Sequence, residues 1–293
     1  MFVIWNPVAA GGRGLRRWES LSRQLAGDGI KFDHAPTTHA GEAVELTTRA
    51  IAAGHRTIGA CGGDGTLHEV ANAILNSGVD VCVAFFPTGS SCDFAKAVVH
   101  HPFQHRTRRR VDVIRVDSND GTRYAVNYTS IGLMADATDR FNRRKGVVGI
   151  ARRFGVNAGA IAATAGALMA LRPLDVTMTF DGASATKNQS LMNLTLFKTR
   201  VVGGNMHFDV SIAPDDGRMF AAALRPSSKR ALISIIPALY RGTVLQRADT
   251  WSRSCVDLRL ITNPTTVIEA DGEMIGSTPA TFSVMPAALT VLA

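Results

Sequence analysis

The first third of the chain alternates short apolar runs with amphipathic stretches. Strand-like runs fall at residues 2–5, 30–35, 57–60 and 81–86, and helices are expected at residues 15–26 and 42–53. After the third run, Leu67, Val70, Ala71, Ile74 and Leu75 recur with the spacing of one helix face. Apolar strands separated by amphipathic helices predict an α/β domain with a doubly wound parallel sheet, whose ligands bind at the carboxyl ends of the strands.

From about residue 111 the pattern changes to many short runs, several of them alternating. Strands are predicted at residues 111–116, 124–129, 176–180, 190–197, 219–224, 256–261, 266–270, 281–284 and 289–292. Asp-Gly and Gly-Gly turn signals separate the runs, which predicts a mainly antiparallel β-sandwich. We therefore expect an α/β domain at residues 1–121 and a sandwich domain at residues 122–293.

Two further stretches in the second half are apolar without strand alternation. Residues 155–171 are rich in alanine and leucine but too short and weakly apolar for a membrane span, so a helix packed on the sandwich is expected. Residues 231–240 either line a lipid-accepting groove or belong to the core, and the core is favoured.

Composition narrows the class of protein. The apolar fraction of 46% suffices for two cores, and no run of 18 apolar residues or N-terminal signal pattern occurs, so a cytoplasmic protein is expected. Four cysteines without a C-x-x-C pair predict buried free thiols, neither disulfides nor a zinc site.

The net charge of +8 suits a polyanionic partner. Basic runs lie at residues 106–110, 143–145 and 152–153, and nucleic acid, an anionic membrane or a polyanionic small molecule could each meet them. Aromatic residues make up only 6% and do not interleave with the runs, which argues against nucleic acid. Contact with an anionic membrane is favoured over a merely solvated basic face.

A glycine-rich turn, Gly62-Gly63-Asp64-Gly65-Thr66, joins the third strand to its helix. Glycines allow close backbone approach, and the N–H groups of the following helix favour a phosphate. Asp64 would repel that phosphate unless a cation such as Mg²⁺ lay between them, which points to phosphoryl transfer. Thr66 and Glu69 have the spacing of a capping box. The alternative is a tight turn without function.

The loops that follow the other strands carry related residues. Asn6-Pro7, Thr37 and the segment from Pro87 to Phe94 each follow a predicted strand, so we expect them to meet the central turn along one sheet edge. In the last loop Asp93 begins a helix, which an ordinary N-cap would also explain.

These motifs, in this order along nearly the whole chain, resemble the diacylglycerol kinase catalytic family, which includes bacterial lipid kinases, ceramide kinases and sphingosine kinases. The resemblance implies that Asp64 and Asp93 join the Mg²⁺ and water network at the phosphates. It implies ATP contacts from Asn6, Gly11, Thr37, Gly62, Gly63, Gly65, Thr66 and Ser90. One loop departs from the family pattern Gly-Thr-Gly-Asn-Asp, because Ser91 and Cys92 replace its second glycine and its asparagine; weakened activity would follow if the loop geometry changed.

Two acidic turns in the second half also match the family, although Asp-Gly is a common hairpin turn. The resemblance places Asp271 or Glu273 as the base that accepts the proton of the lipid hydroxyl, and the residues leave this choice open. It also implies a structural Mg²⁺ bound by the side chain of Asp216 and the carbonyls of Ala213 and Arg218. The last residues, 287–293, are expected to return to the first domain.

The sequence therefore predicts an ATP- and Mg²⁺-dependent kinase that phosphorylates a lipid hydroxyl, with diacylglycerol as the favoured acceptor and phosphatidic acid as the product. We expect it to act peripherally at the inner face of the membrane; a homodimer through a sandwich edge is open. The alternatives are a kinase for another lipid such as sphingosine or ceramide, an NAD kinase, or a non-catalytic lipid-binding protein. The Asn-Glu dipeptide expected in an NAD kinase substrate site occurs nowhere in the chain.

Overall fold

A computed structural model describes residues 1–99, 101–143, 146–151, 156–183, 187–204, 206–228, 231 and 234–293 of the chain. The fold divides into two compact units, Met1–Val113 with Pro286–Ala293, and Ile114–Met285. Of the predicted features, Arg144, Lys145, Arg152, Arg153, Gly155, Asn205, Leu232 and Ile233 lie outside the described residues.

The strands are numbered here in chain order. They are β1 (Phe2–Trp5), β2 (Asp33–Pro36), β3 (Thr57–Gly62), β4 (Cys82–Pro87), β5 (Arg108–Ser118), β6 (Gly121–Ala125), β7 (Tyr128–Gly132), β8 (Leu174–Phe180), β9 (Lys187–Leu191), β10 (Asn193–Phe197), β11 (Val201–Val202), β12 (Met206–His207), β13 (Met219–Leu224), β14 (Thr250–Cys255), β15 (Asp257–Asn263), β16 (Val267–Ala270), β17 (Glu273–Ser277) and β18 (Ala280–Leu292).

The helices are numbered in the same way. They are α1 (Ala9–Gly12), α2 (Gly14–Gly27), α3 (Glu42–Ala52), α4 (Asp64–Ser77), α5 (Asp93–Val98), α6 (Leu133–Arg143), α7 (Gly146–Ala151), α8 (Val156–Ala170) and α9 (Ile235–Arg241), with 3₁₀ turns at Phe103–His105 and Val244–Gln246.

The first unit is built on a parallel sheet. Its strand order is β2-β1-β3-β4, and the last residues of β18 add a further parallel strand where Thr290 pairs with Cys82. Trp18 and Leu25 of α2 pack on side chains of the sheet, including Val3 and Phe86, while α3 and α4 contact each other and strands β1 and β3. The predicted α/β class is confirmed for this unit.

The second unit is an antiparallel β-sandwich, as predicted. One sheet has the order β14-β13-β10-β7-β16-β17, and the other contains β9, β8, β15 and β18 with the hairpin of β5 and β6. Inward side chains from both sheets, such as Leu196 and Leu258, form one core. A second core covers the outer face of the six-stranded sheet, where Ala167 of α8 and Ile235 and Leu239 of α9 are buried.

Three stretches were predicted with the wrong number of strands. Residues 124–129 and 190–197 each form two strands instead of one, and residues 281–292 form a single strand instead of two. The first break arises because the N–H groups of Val126 and Asn127 bond to the carboxylate of Asp271 and not to a neighbouring strand. Strand β18 continues past Pro286, and within it Ala287, at φ 50°, donates its N–H to Asp112.

Candidate active site

The central glycine turn starts helix α4 earlier than its pattern predicts. The helix begins at Asp64, and the preceding Gly63 adopts an extended conformation without a side-chain cap. The predicted capping box of Thr66 and Glu69 is therefore wrong, because Thr66 already lies inside the helix. Glu69 instead accepts the N–H groups of Gly41 and Ala43, at 3.0 and 3.1 Å, and so ties α4 to the start of α3.

The turns after β3 and β4 meet backbone to backbone. The N–H groups of Thr88 and Gly89 donate to the carbonyl of Gly62 at 2.9 and 2.8 Å. A Cβ atom on Gly89 would lie 2.3 Å from the Cα of Gly63, and one on Gly62 would lie 2.3 Å from Oγ1 of Thr66. Glycine is therefore required at both positions by close approach.

Two carboxylates at this junction, Asp64 and Asp93, have different contacts. Asp64 accepts the N–H groups of Asp93 and Phe94 at 3.2 and 3.3 Å, so it satisfies the first amides of α5 from another loop. The Asp93 side chain is only 3% exposed, and it pairs with Nζ of Lys96 at 2.9 Å. Asp64 is the more accessible of the two carboxylates.

The loop after β1 reaches the same edge of the sheet. Asn6 donates its N–H to the carbonyl of Cys61 at 3.0 Å, and its Nδ2 lies 3.5 Å from Oγ1 of Thr66. Thr37, which follows β2, donates its N–H to Trp5 at 2.9 Å. Gly11 is exposed at φ 71° within the short α1 turn. The loops therefore converge as the parallel topology predicts.

The departure from the family pattern lies inside this junction. Cys92 adopts the left-handed conformation at φ 51°, is buried, and places its Sγ 3.7 Å from the carbonyl of Gly62. Burial raises the pKa of its thiol to about 12. Ser90 is exposed and Ser91 is partly buried. All four cysteines are buried, as predicted for small apolar side chains.

In the second unit, Asp271 and Gly272 form the turn between β16 and β17, both with positive φ. The two oxygens of the buried Asp271 carboxylate accept the N–H groups of Val126, Asn127 and Tyr128 at 2.8 to 3.0 Å. Glu273, at the start of β17, is exposed. The two carboxylates therefore differ: Asp271 is hydrogen-bonded to backbone N–H groups, whereas Glu273 lies at the surface.

A third carboxylate, that of Glu269, stabilises this turn from the protein interior and was not predicted from the sequence. Glu269 is fully buried and accepts the hydroxyl of Ser130 and the N–H of Gly272, both at 2.6 Å. Burial raises the pKa of Glu269 to about 7, although these hydrogen bonds act in the opposite direction. A single acidic residue within an apolar strand was the signal that could have identified it.

The acidic turn at Asp216 holds a cation supplied by the protein itself. Asp216 accepts the N–H groups of Ala213 and Arg218, each at 3.0 Å. Nζ of Lys198 lies 2.8 Å from Oδ1 of Asp216 and 2.5 Å from the carbonyl oxygen of Arg218. Burial alone would raise the pKa of Asp216, but the bonds from Lys198 and the backbone outweigh it and lower that pKa.

The atoms around Asp216 do not fit the Mg²⁺ site that the resemblance implied. The carboxylate oxygen and the Arg218 carbonyl both point at an ammonium group, and the Ala213 carbonyl accepts the N–H of Asp216. Among the described residues, no group of three or more His, Cys, Asp or Glu side chains is arranged to hold a metal ion.

The chain combines an α/β unit that carries a glycine-rich loop junction with an antiparallel β-sandwich unit. The family model of the diacylglycerol kinase catalytic domain matches residues 1–121, and that of the YegS C-terminal NAD kinase beta sandwich-like domain matches residues 129–293. The chain belongs to the diacylglycerol kinase-like family of lipid kinases.

Individual relatives agree with this assignment. A diacylglycerol kinase of Mycobacterium tuberculosis is 24% identical over 99% of this chain and 94% of its own length. A protein of Xanthomonas oryzae named as a probable YegS-like lipid kinase is 34% identical over 38% of this chain and 40% of its own. The crystal structure of a diacylglycerol kinase from Bacillus anthracis has the same fold, with a TM-score of 0.72, 16% identity, and coverage of 99% and 95% of the two chains.

Proposed function

We propose that this protein transfers the γ-phosphate of ATP to a hydroxyl group of a membrane lipid, with diacylglycerol as acceptor and phosphatidic acid as product. The observation that carries the proposal is the junction at the end of the parallel sheet. There Gly62 and Gly89 meet without side chains, and Asp64 joins one turn to the helix that follows the other. Family membership supports phosphoryl transfer to a lipid as the chemistry of this junction.

The residues of the junction fit a polyphosphate. The glycines let the two turns pack directly against each other, and backbone N–H groups at the start of α4 offer a positive dipole end for a phosphate. In our proposal Asn6, Gly11, Thr37, Gly65, Thr66 and Ser90 complete the ATP contacts. A Mg²⁺ held with Asp64 and Asp93 would neutralise charge on the transferring phosphoryl group.

We assign the role of general base to Glu273 and a positioning role to Asp271. The Asp271 carboxylate holds three backbone N–H groups and fixes the turn, whereas Glu273 is exposed to an incoming substrate. The lipid oxygen forms a bond to the γ-phosphorus, the bond from that phosphorus to the oxygen of ADP breaks, and Glu273 receives the hydroxyl proton.

We further propose that the protein approaches its lipid from an anionic membrane surface. The net charge is +8, and Val147 and Met169 of helices α7 and α8 expose 74% and 86% of their surface. Exposed apolar side chains on a cationic protein suit the boundary between lipid head groups and acyl chains. Within the described residues, no helix is long and apolar enough to cross a membrane.

The proposal is tested by incubating the protein with ATP labelled at the γ-phosphate and mixed micelles of diacylglycerol, ceramide or sphingosine. NAD serves as a control acceptor, and each reaction is run with Mg²⁺ and with chelator. We expect label on diacylglycerol only with Mg²⁺. Label on NAD alone, or ATP binding without transfer to any acceptor, would contradict the proposal.

A further inference from the structure

The turn at Asp216 contains a buried lysine that the proposed phosphoryl transfer does not use. Lys198 follows strand β10, its N–H donates to the carbonyl of Asn127 at 2.8 Å, and its side chain is 1% exposed. Burying an ammonium group is costly unless it is paired and hydrogen-bonded. The buried position of Lys198 therefore depends on the oxygen atoms that its ammonium group contacts.

Those groups are oxygen atoms that would suit a hard metal ion. The ammonium contacts Oδ1 of Asp216 at 2.8 Å and the carbonyl oxygen of Arg218 at 2.5 Å. A carboxylate with a backbone carbonyl is a typical donor set for Mg²⁺ or Ca²⁺. An ammonium is a compact point charge with three donors, so it can satisfy the same oxygens without a metal.

The backbone of the turn is closed around the same carboxylate. The N–H groups of Ala213 and Arg218 donate to Asp216, and Gly217 adopts φ 71° between them. The ammonium therefore joins the end of β10 to the residues that lead into β13, within one unit. A divalent ion on these oxygens would lie against the ammonium, and the repulsion between them would exclude joint occupancy.

We infer that the ammonium of Lys198 takes the place of the structural divalent cation at the Asp216 turn, so that this unit folds and remains stable without a metal there. The inference is independent of the proposed kinase activity, since it concerns a contact within the sandwich unit. Any Mg²⁺ requirement of the protein would then belong to its nucleotide.

The first test uses crystals of the wild-type protein soaked in MnCl₂ without ATP or lipid. We expect no anomalous difference peak within coordination distance of Oδ1 of Asp216. A Mn²⁺ peak on Asp216 and the Arg218 carbonyl would overturn the inference, whatever the fate of the kinase assay. This measurement needs no variant and so does not depend on any substitution folding.

The second test measures thermal unfolding in the absence of nucleotide, in chelator and in millimolar Mn²⁺. For Lys198→Ala we expect Tm to fall by about 10 °C in chelator, because Asp216 loses its buried partner. Mn²⁺ should restore part of that loss, while Asp216→Asn in the Lys198→Ala background should abolish the recovery. Lys31→Ala, at an exposed lysine, is the matched control and should leave Tm unchanged. A Lys198→Ala variant that gains no stability from Mn²⁺ would overturn the inference.

Discussion

At the scale of single residues, three carboxylates around one hairpin turn have different environments. Asp271 holds three backbone N–H groups, Glu269 lies fully buried beneath the turn, and Glu273 is exposed. Their spacing in the sequence, every second residue, places them close together but does not distinguish them. Only the contacts separate a positioning group from a candidate base.

Replacing Glu273 and Asp271 should therefore have different effects. For Glu273→Gln we expect kcat to fall by about 10²–10⁴-fold with little change in the KM for ATP, because the proton acceptor is lost. Asp271→Asn should lower the free energy of unfolding by about 1–3 kcal/mol, since an amide donor then faces backbone N–H groups. Steady-state kinetics and denaturant unfolding measure both effects, with Glu19→Gln as the control. Full activity in Glu273→Gln would contradict the assignment.

The buried Glu269 predicts a pH dependence of stability. Its pKa is raised by burial from the model-peptide range to about 7, so the folded protein keeps a proton that the unfolded chain releases near pH 4.5. The free energy of unfolding contributed by this group should fall by about 3 kcal/mol as pH rises through that window. Glu269→Gln should flatten this slope in denaturant titrations from pH 4.5 to 7.5. An unchanged slope would show that Glu269 does not carry the proton.

At the scale of elements, the sequence predicted which loops meet but not how they bond. The alternation of strands and helices placed the loops after β1, β3 and β4 at one edge, and the contacts of Asn6, Gly62 and Gly89 confirm this. The predicted capping box does not form because α4 begins before Thr66. Glu69 instead accepts N–H groups at the start of α3, which is distant in sequence. The strand break at Val126 depends on Asp271, more than 140 residues away, so local pattern could not reveal it.

The contact between the two glycine turns gives an element-scale prediction. Gly89→Ala should lower the free energy of unfolding by several kcal/mol, roughly in the range of severe overpacking, because its Cβ would lie 2.3 Å from the Cα of Gly63. Gly27→Ala, at the end of α2 with open space around the added Cβ, is the control and should be neutral or slightly stabilising. Thermal unfolding of the two variants measures the difference. Equal stability would mean that the turns do not pack as described.

At the scale of the whole molecule, composition predicted the two-part organisation and a cationic surface, but not which basic residues are available. Arg106, for example, donates to the carbonyl of Phe85 at 2.7 Å and lies over the rings of Phe86 and Phe103. It therefore supports the first unit and is not simply a solvated charge. The buried Lys198 likewise counts toward the net charge without contributing to a surface.

The cationic surface predicts salt-dependent binding to lipid vesicles. We expect the protein to sediment with vesicles containing anionic phospholipid at 50 mM salt and to be released at 300 mM, because screening weakens the attraction of surface charges. Vesicles of neutral phosphatidylcholine are the control and should bind little. Binding that is equal for both vesicle types and insensitive to salt would contradict the proposed electrostatic contact.

The most direct test of the central claim compares the rate of phosphate transfer from ATP to diacylglycerol in wild type and in Asp64→Asn. Asparagine keeps an acceptor oxygen for only one of the N–H groups of Asp93 and Phe94, which bond to different oxygens of Asp64, and it removes the charge proposed to hold Mg²⁺ at the phosphates. Asp28→Asn, at an exposed carboxylate after α2, is the matched control, and Tm confirms folding. We predict at least a ~100-fold loss in Asp64→Asn alone. A folded Asp64→Asn variant with the wild-type rate would contradict the account.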